Sequence, residues 1–124
     1  LGIGDRIAQV FYNLIDNAIS FSKEGSSIDI SAITTENEAI IEIKDQGPGI
    51  PKENLGRIFE RFYTYRPEEK NFGNNSGLGL SICKQIIKSL NGTIIATNGL
   101  NEGAIFTIIL PLKSYRREKK WLAL

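Results

Sequence analysis

Three groups of residues in this 124-residue chain are candidates for binding chemistry. Asn13 and Asn17 lie four residues apart, which on a helix places their side chains on one face about 40° apart. Two amide oxygens so placed can hold one hard cation. Taken alone such a pair is more often a solvated helix face, and a magnesium site also draws on phosphate oxygens. Asp45 ends a β-branched stretch and by strand alternation shares a face with Ile41 and Ile43, the side expected to turn toward the core. A carboxylate there needs a hydrogen-bond donor, and Gly47 and Gly49 just beyond would let a flat group approach the backbone. An adenine amino group is one such donor; an aspartate that merely opens a turn is the equal alternative. The third group, Asn75-Ser76-Gly77-Leu78-Gly79-Leu80, runs directly into a helical pattern. Glycines at a helix start leave N–H groups open at the positive end of the helix dipole, which is a physical basis for holding phosphate. The run is neither a P-loop, lacking the Gly-Lys-Ser/Thr ending, nor a dinucleotide fingerprint, since the preceding strand and the spacing are missing.

Such residues act together only if the chain folds to hold them in place. Ile7, Val10, Phe11, Leu14, Ile15 and Ala18 recur at helical spacing from Asp5 to about Phe21, with Asp5 placed to cap the start. Ile28 to Thr34 and Ala39 to Asp45 read as an antiparallel hairpin about the polar turn Glu36-Asn37-Glu38. Asp45-Gln46-Gly47-Pro48-Gly49-Ile50-Pro51 is turn chemistry, and a short helix is expected from Lys52 toward Phe59. Phe62 to Ser76 has no hydrophobic period and reads as a long loop of functional kind. A second helix from about Leu78 to Leu90 ends at Asn91-Gly92, and a last hairpin joins Thr93–Thr97 to Ala104–Leu110. The fold class expected is α/β: a two-layer sandwich with a mostly antiparallel, mixed sheet covered on one face by helices, leaving the other to solvent or a missing neighbour.

Composition narrows the function. The chain has no histidine, which removes Ser/His and Cys/His nucleophile pairs, histidine-ligated zinc and imidazole acid–base chemistry. Catalysis must then work by binding and positioning. Fifteen basic against fourteen acidic residues give a net charge of +1, which points to no nucleic-acid partner. The single cysteine, Cys83, sits in an apolar helical pattern, excludes an intrachain disulfide and fits a reducing cytoplasm. No apolar run reaches the length of a membrane span, so no membrane contact is expected of this segment. Lys113, Arg116, Arg117, Lys119 and Lys120, followed by Trp121, Leu122 and Leu124, are read as a basic tail over 113–124.

The order of the three groups, cation ligands, base recognition and phosphate cradle, carries a family resemblance. Asn13-Leu14-Ile15-Asp16-Asn17-Ala18 resembles the N box of histidine-kinase catalytic domains, and Asp45-Gln46-Gly47-Pro48-Gly49-Ile50 their G1 box. Ile58-Phe59-Glu60-Arg61-Phe62-Tyr63 resembles the F box, and Ser76-Gly77-Leu78-Gly79-Leu80-Ser81 the G2 box. The likeness extends to Gly103-Ala104-Ile105-Phe106-Thr107 and Leu110-Pro111-Leu112. It implies the Bergerat ATP-binding fold over residues 1–112, which are expected to lack the additional strand with which domains of this family usually begin. It also implies ATP and Mg²⁺ as ligands: Asn13 and Asn17 would ligate the metal, Asp45 would accept from the adenine amino group, and Phe21, Gly47 and Gly49 would line the nucleotide. Gly77, Leu78 and Gly79 would meet the phosphates, and about Lys52 to Ser76 would be the lid. Arg61 and Arg66 are candidates for phosphate or partner contacts. The chain departs from the pattern at Ser20, where many members carry Lys, and at Asn75, where the glycine run usually begins.

By that resemblance the nucleophile would be a histidine on a separate dimerisation domain, and no residue here is assigned as nucleophile or base. A response regulator and a homodimeric, membrane-anchored parent with a cytoplasmic catalytic domain are the implied partners and setting. The alternative is a nucleotide-binding module without kinase activity, such as a truncated or pseudokinase fragment or an anti-sigma-like kinase. A docking fragment that needs no ATP is a third reading, and the glycines at 47, 49, 77 and 79 argue against it.

Overall fold

Helix α1 spans Ile3–Phe21, and its apolar stripe buries Val10, Leu14 and Ala18. It begins two residues before the expected start. Gly2 occupies the N-cap position, and Asp5 caps from inside the first turn, its carboxylate accepting from the Gly2 N–H at 3.3 Å. The helix ends where Ser22 turns extended. The computed structural model describes residues 2–22, 24–61, 79–100 and 103–112.

Strands β1 (Asp29–Thr34) and β2 (Glu38–Lys44) form the expected hairpin, closed by the Thr35 N–H donating to the Glu38 carbonyl at 2.8 Å. Helix α2 (Gly79–Ser89) and strands β3 (Thr93–Asn98) and β4 (Ala104–Pro111) complete the described elements. The sheet order is β1-β2-β4-β3, and every pairing is antiparallel, so among the described residues the sheet is not mixed. Both helices lie on one face, α1 against β2 and α2 against β3, with each helix packed on the other. Between them and the sheet sit Val10, Leu14, Ala18, Ile43, Cys83, Ile86, Ile87, Ile94, Phe106 and Ile108. The two-layer architecture follows from this: period-3.6 stripes on two helices cover one face of period-2 strands.

The segment from Lys52 to Phe59 differs from the expected helix. Only Lys52–Asn54 is helical, as a single 3-10 turn, and turns continue to Phe59. The bonds Asn54 to Pro51, Leu55 to Lys52, Arg57 to Asn54 and Glu60 to Arg57 all span three residues rather than four. Pro51 at the start and Gly56 in the middle disfavour an α-helical register over so short a stretch. The segment is nevertheless tied to the core by buried Ile50 and Ile58, and by Phe59 meeting Phe106 edge-on at 6.1 Å between centroids.

Helix α2 stops at Asn91, which takes a left-handed conformation at φ 63°, while Gly92 returns its N–H to the Ile87 carbonyl at 2.9 Å. This is the stop expected from the Asn-Gly pair.

Two residues of α1 test the core assignment. Leu14 is fully buried whereas Tyr12, on the same helix, is 71% exposed. Leu14→Ala is expected to lower unfolding free energy by about 2–5 kcal/mol, and Tyr12→Ala by less than about 0.5 kcal/mol, in urea titrations followed by circular dichroism.

Candidate functional site

The junction between the end of α1, the turn after β2 and the start of β4 brings several of the expected residues together. Asp45 is only 6% exposed. Its Oδ1 accepts the Gly47 N–H at 2.9 Å and the Ala104 N–H at 3.1 Å, and its own N–H donates to the Ala104 carbonyl at 3.0 Å. Among the described residues, the hydrogen bonds this carboxylate accepts both fall on Oδ1. The strand thus ends in a carboxylate held by one oxygen, with Oδ2 left to receive a donor from outside the backbone.

Gly47 is buried, and a Cβ on it would collide with the Phe21 carbonyl oxygen and lie 3.0 Å from the Phe21 carbonyl carbon. The glycine is therefore required to seat the turn on the end of α1, which places Phe21, Gly47 and Asp45 at one point. Gly49 has φ +83°, and the space its Cβ would fill is occupied by Asn98 Oδ1 at 2.9 Å. The Ser22 hydroxyl at the same end of α1 is buried and has no hydrogen-bond partner among the described residues.

Asn13 and Asn17 are both half-buried on α1. Cys83 of α2 donates its thiol to the Val10 carbonyl of α1 at 3.7 Å, one turn before Asn13. Ser20 donates its hydroxyl to the Asn17 carbonyl of its own helix at 3.0 Å. Gly79 opens α2, half-buried, while Gly77, Leu78, Arg66 and the part of the expected lid from 62 to 76 lie outside the described residues. Arg61 is exposed and lines a different groove, of about 220 Å³, with Phe59, Ser81, Lys84, Gln85 and Lys88.

Two further residues complete this junction, and the sequence reading does not single them out. Asn98 clamps the turn from β3: it accepts the Ile50 N–H and donates to the Ile50 carbonyl, both at 2.8 Å. Gly103, at φ +92°, brings its backbone against the Asp45 carbonyl so closely that a side chain would collide with that oxygen. An Asn ending a β-branched strand is also a common turn residue, so no local signal separates the Asn98 clamp from an ordinary turn. Gly103 carries a usable signal, a glycine next to the Ala104-Ile105-Phe106 strand, where close backbone approach is one reason for the residue.

The metal question reduces to the asparagine pair, because among the described residues no group of three or more His, Cys, Asp or Glu side chains converges. Two neutral amide oxygens do not neutralise a divalent cation by themselves. They fit Mg²⁺ as a minor part of an octahedral shell completed by phosphate oxygens and water.

An open antiparallel sheet with two helices on one face, and a buried aspartate at the end of an inner strand, is the α/β sandwich of histidine-kinase catalytic domains. The chain belongs to the histidine kinase-, DNA gyrase B- and HSP90-like ATPase family, whose profile matches residues 2–114. It is 46% identical over 112 residues to the sensor protein ChvG of Agrobacterium fabrum, a match that covers 86% of this chain and 19% of ChvG. Among solved structures it resembles the mycobacterial sensor histidine kinase MprB, at 29% identity and TM-score 0.80, over 90% of this chain and 75% of that one. It also resembles full-length ShkA, solved in complex with AMPPNP, at 26% identity and TM-score 0.72, over 86% of this chain and 21% of ShkA. The chain thus spans about a fifth of the length of the curated relatives it matches.

Cys83 supplies a pH test of the α1–α2 contact. Burial pushes its thiol up from 9.0 to about 11, opposed by the hydrogen bond from Asn13. The folded state therefore favours the neutral thiol. This contribution to stability is full below about pH 9 and is lost as pH rises toward about 11. Native protein at pH 8 is expected to resist alkylation by iodoacetamide, with labelling at the rate of the urea-unfolded chain only once the fold opens.

Proposed function

We propose that this domain binds Mg²⁺-ATP and presents the γ-phosphoryl group to a histidine on a separate dimerisation domain, within a two-component sensor. The observation that carries the reading is the Asp45 carboxylate. It is buried at a strand end and fixed through Oδ1 by two backbone N–H groups, which supports a reading in which Oδ2 accepts the adenine amino group. A carboxylate oxygen not engaged by the backbone can accept a further donor, and a purine amino group supplies one. The AMPPNP complex of the related ShkA supports the same ligand class.

In this reading the unit is residues 1–112, with 113–124 a basic extension. Phe21, Gly47 and Gly49 line the base and Asn13 and Asn17 hold the cation. Gly77, Leu78 and Gly79 lead into the N-terminus of α2, where open N–H groups would face the phosphates. When bound, Mg²⁺ supplies charge neutralisation for the phosphate oxygens. The chain's own part is positioning: α1 and the β2 turn set the base and the amides, and α2 sets the phosphate end. No side chain here abstracts a proton, and the chain, having no histidine, needs another segment as phosphoacceptor. Arg61 lines a groove with Lys84 and Lys88, a basic cluster that suits a phosphate or partner contact. A response regulator as the next acceptor, a homodimeric parent and a cytoplasmic setting follow from the same reading. Among the described residues no helix is long and apolar enough to cross a membrane.

One observation favours the narrower reading, a nucleotide-binding module without kinase activity. Ser20 stands where many family members carry Lys, and its hydroxyl turns back to the Asn17 carbonyl, so a cation expected near the phosphates is missing at that position.

Calorimetry with a non-hydrolysable ATP analogue, with and without Mg²⁺, separates these parts. Asp45→Asn keeps an oxygen for the Gly47 and Ala104 N–H groups but replaces the outward acceptor with a donor, and is expected to weaken binding by about 10- to 100-fold, as the loss of a buried hydrogen bond of about 1–3 kcal/mol. Asn17→Ala is expected to remove most of the Mg²⁺ dependence. A folded wild-type chain that binds no analogue would contradict the reading.

A further inference from the structure

Alternation along the four strands divides their side chains between two faces. Ile43, Ile94, Phe106 and Ile108 are buried beneath the helices. The opposite face carries Ile33 on β1, Ile40 on β2, Ile109 on β4 and Ile95 on β3. The pairings Ile33↔Ile40 and Ile40↔Ile109 set three of these side by side in one cross-strand row, and Ile95, opposite Thr107, lies one row further along. Ile33 is 61% and Ile95 43% exposed. On this same face, by the same alternation, stand Asp29, Glu38, Glu42 and Lys44, three carboxylates to one ammonium. An apolar row bordered by acidic side chains is an interaction surface without its partner.

The chain itself leaves the sheet beside this row. Strand β4 ends at Pro111, opposite Glu38, and the Leu112 N–H donates to the Asn37 carbonyl at 2.7 Å. The exit point is therefore two residues past Ile109. The C-terminal residues 113–124 complement the face in both charge and apolar character. They contain Lys113, Arg116, Arg117, Lys119 and Lys120 against Glu118, and end in Trp121-Leu122-Ala123-Leu124. Reach is sufficient: the nine residues from Leu112 to Trp121 can span up to about 30 Å, whereas four strands at about 4.8 Å spacing are only about 14 Å across.

We propose that residues 113–124 dock on the outer face of the sheet, with Trp121 and Leu122 over the Ile33–Ile40–Ile109 row and the basic side chains against Asp29, Glu38 and Glu42. The C-terminal segment then serves as the second cover of the sheet, opposite α1 and α2. A partner that binds this face must displace it.

Trp121 is the only tryptophan in the chain, so its fluorescence reports on the contact directly. In the full chain its emission is expected to be blue-shifted relative to the urea-unfolded chain, and acrylamide quenching to be slowed several-fold. Ile33→Ser, at an exposed edge position, and Glu42→Lys should each move both signals toward the unfolded values while circular dichroism stays that of the wild type. High salt should act in the same direction, through the charged contacts. Emission and quenching equal to those of the unfolded chain, in a protein that circular dichroism shows to be folded, would overturn the proposal. So would a protected tryptophan indifferent to both variants, or one whose protection is lost on dilution as a dimer dissociates in sedimentation, which would make a second copy of the chain the occupant.

Discussion

The structure of the site depends on one carboxylate oxygen. Asp45 Oδ1 takes two backbone N–H groups, one from the turn that follows its own strand and one from the first residue of β4. With the reciprocal bond from the Asp45 N–H to the Ala104 carbonyl, this joins a loop to the inner pair of the sheet at a buried point. The constraint propagates through two close backbone approaches. Gly103 lets β4 start against the Asp45 carbonyl, and Gly47 lets the turn rest on the Phe21 carbonyl at the end of α1. A side chain at either glycine would separate elements that the aspartate needs together. The Asn98 clamp on Ile50 then holds the far end of the turn. Carboxylate, turn and helix end are set by backbone contacts and one buried ionisable group.

The packing around this point explains why the helices can serve the site as well as the core. The α1 stripe of Val10, Leu14 and Ala18 is buried, and the asparagines at 13 and 17 flank it at its border. A helix docked by its stripe therefore has no freedom left to rotate its amides away. Helix α2 reinforces this through Cys83, which is wholly buried and donates to the Val10 carbonyl. The one cysteine is thus a packing residue that ties α2 to the helix bearing the two asparagines.

Much of this is legible in the sequence because its periods are strong. The α1 and α2 stripes, the two hairpins and the Asn91-Gly92 stop each follow from local chemistry, and the inward direction of Asp45 follows from strand alternation alone. Sequence and structure part where local preference is weak or tertiary contact decides. Lys52 to Phe59 has apolar residues at helical spacing, yet Pro51 and Gly56 leave it a 3-10 turn held by Ile50, Ile58 and Phe59. Asp5 caps from the first turn because Gly2, which has no side chain to cap with, takes the cap position. Asn98 and Gly103 act across some fifty residues of sequence, on Ile50 and Asp45; the glycine before a strand hints at a close approach, but no local pattern encodes the Asn98 contact. In the sequence Gly47 and Gly49 suggest room for a ligand. In the structure each is first required by the protein's own packing, against Phe21 and Asn98.

Whether Asp45 reads the 6-amino group of adenine through Oδ2 can be decided by comparing the binding of ATP with that of inosine triphosphate, whose 6-position carries an acceptor oxygen, to the wild-type domain and to Asp45→Asn. The wild type is expected to prefer ATP by about 10-fold or more, and Asn, which offers a donor in place of Oδ2, is expected to reduce or reverse that preference. An equal preference for ATP in both proteins would refute this role, because the base would then be selected by something other than this carboxylate.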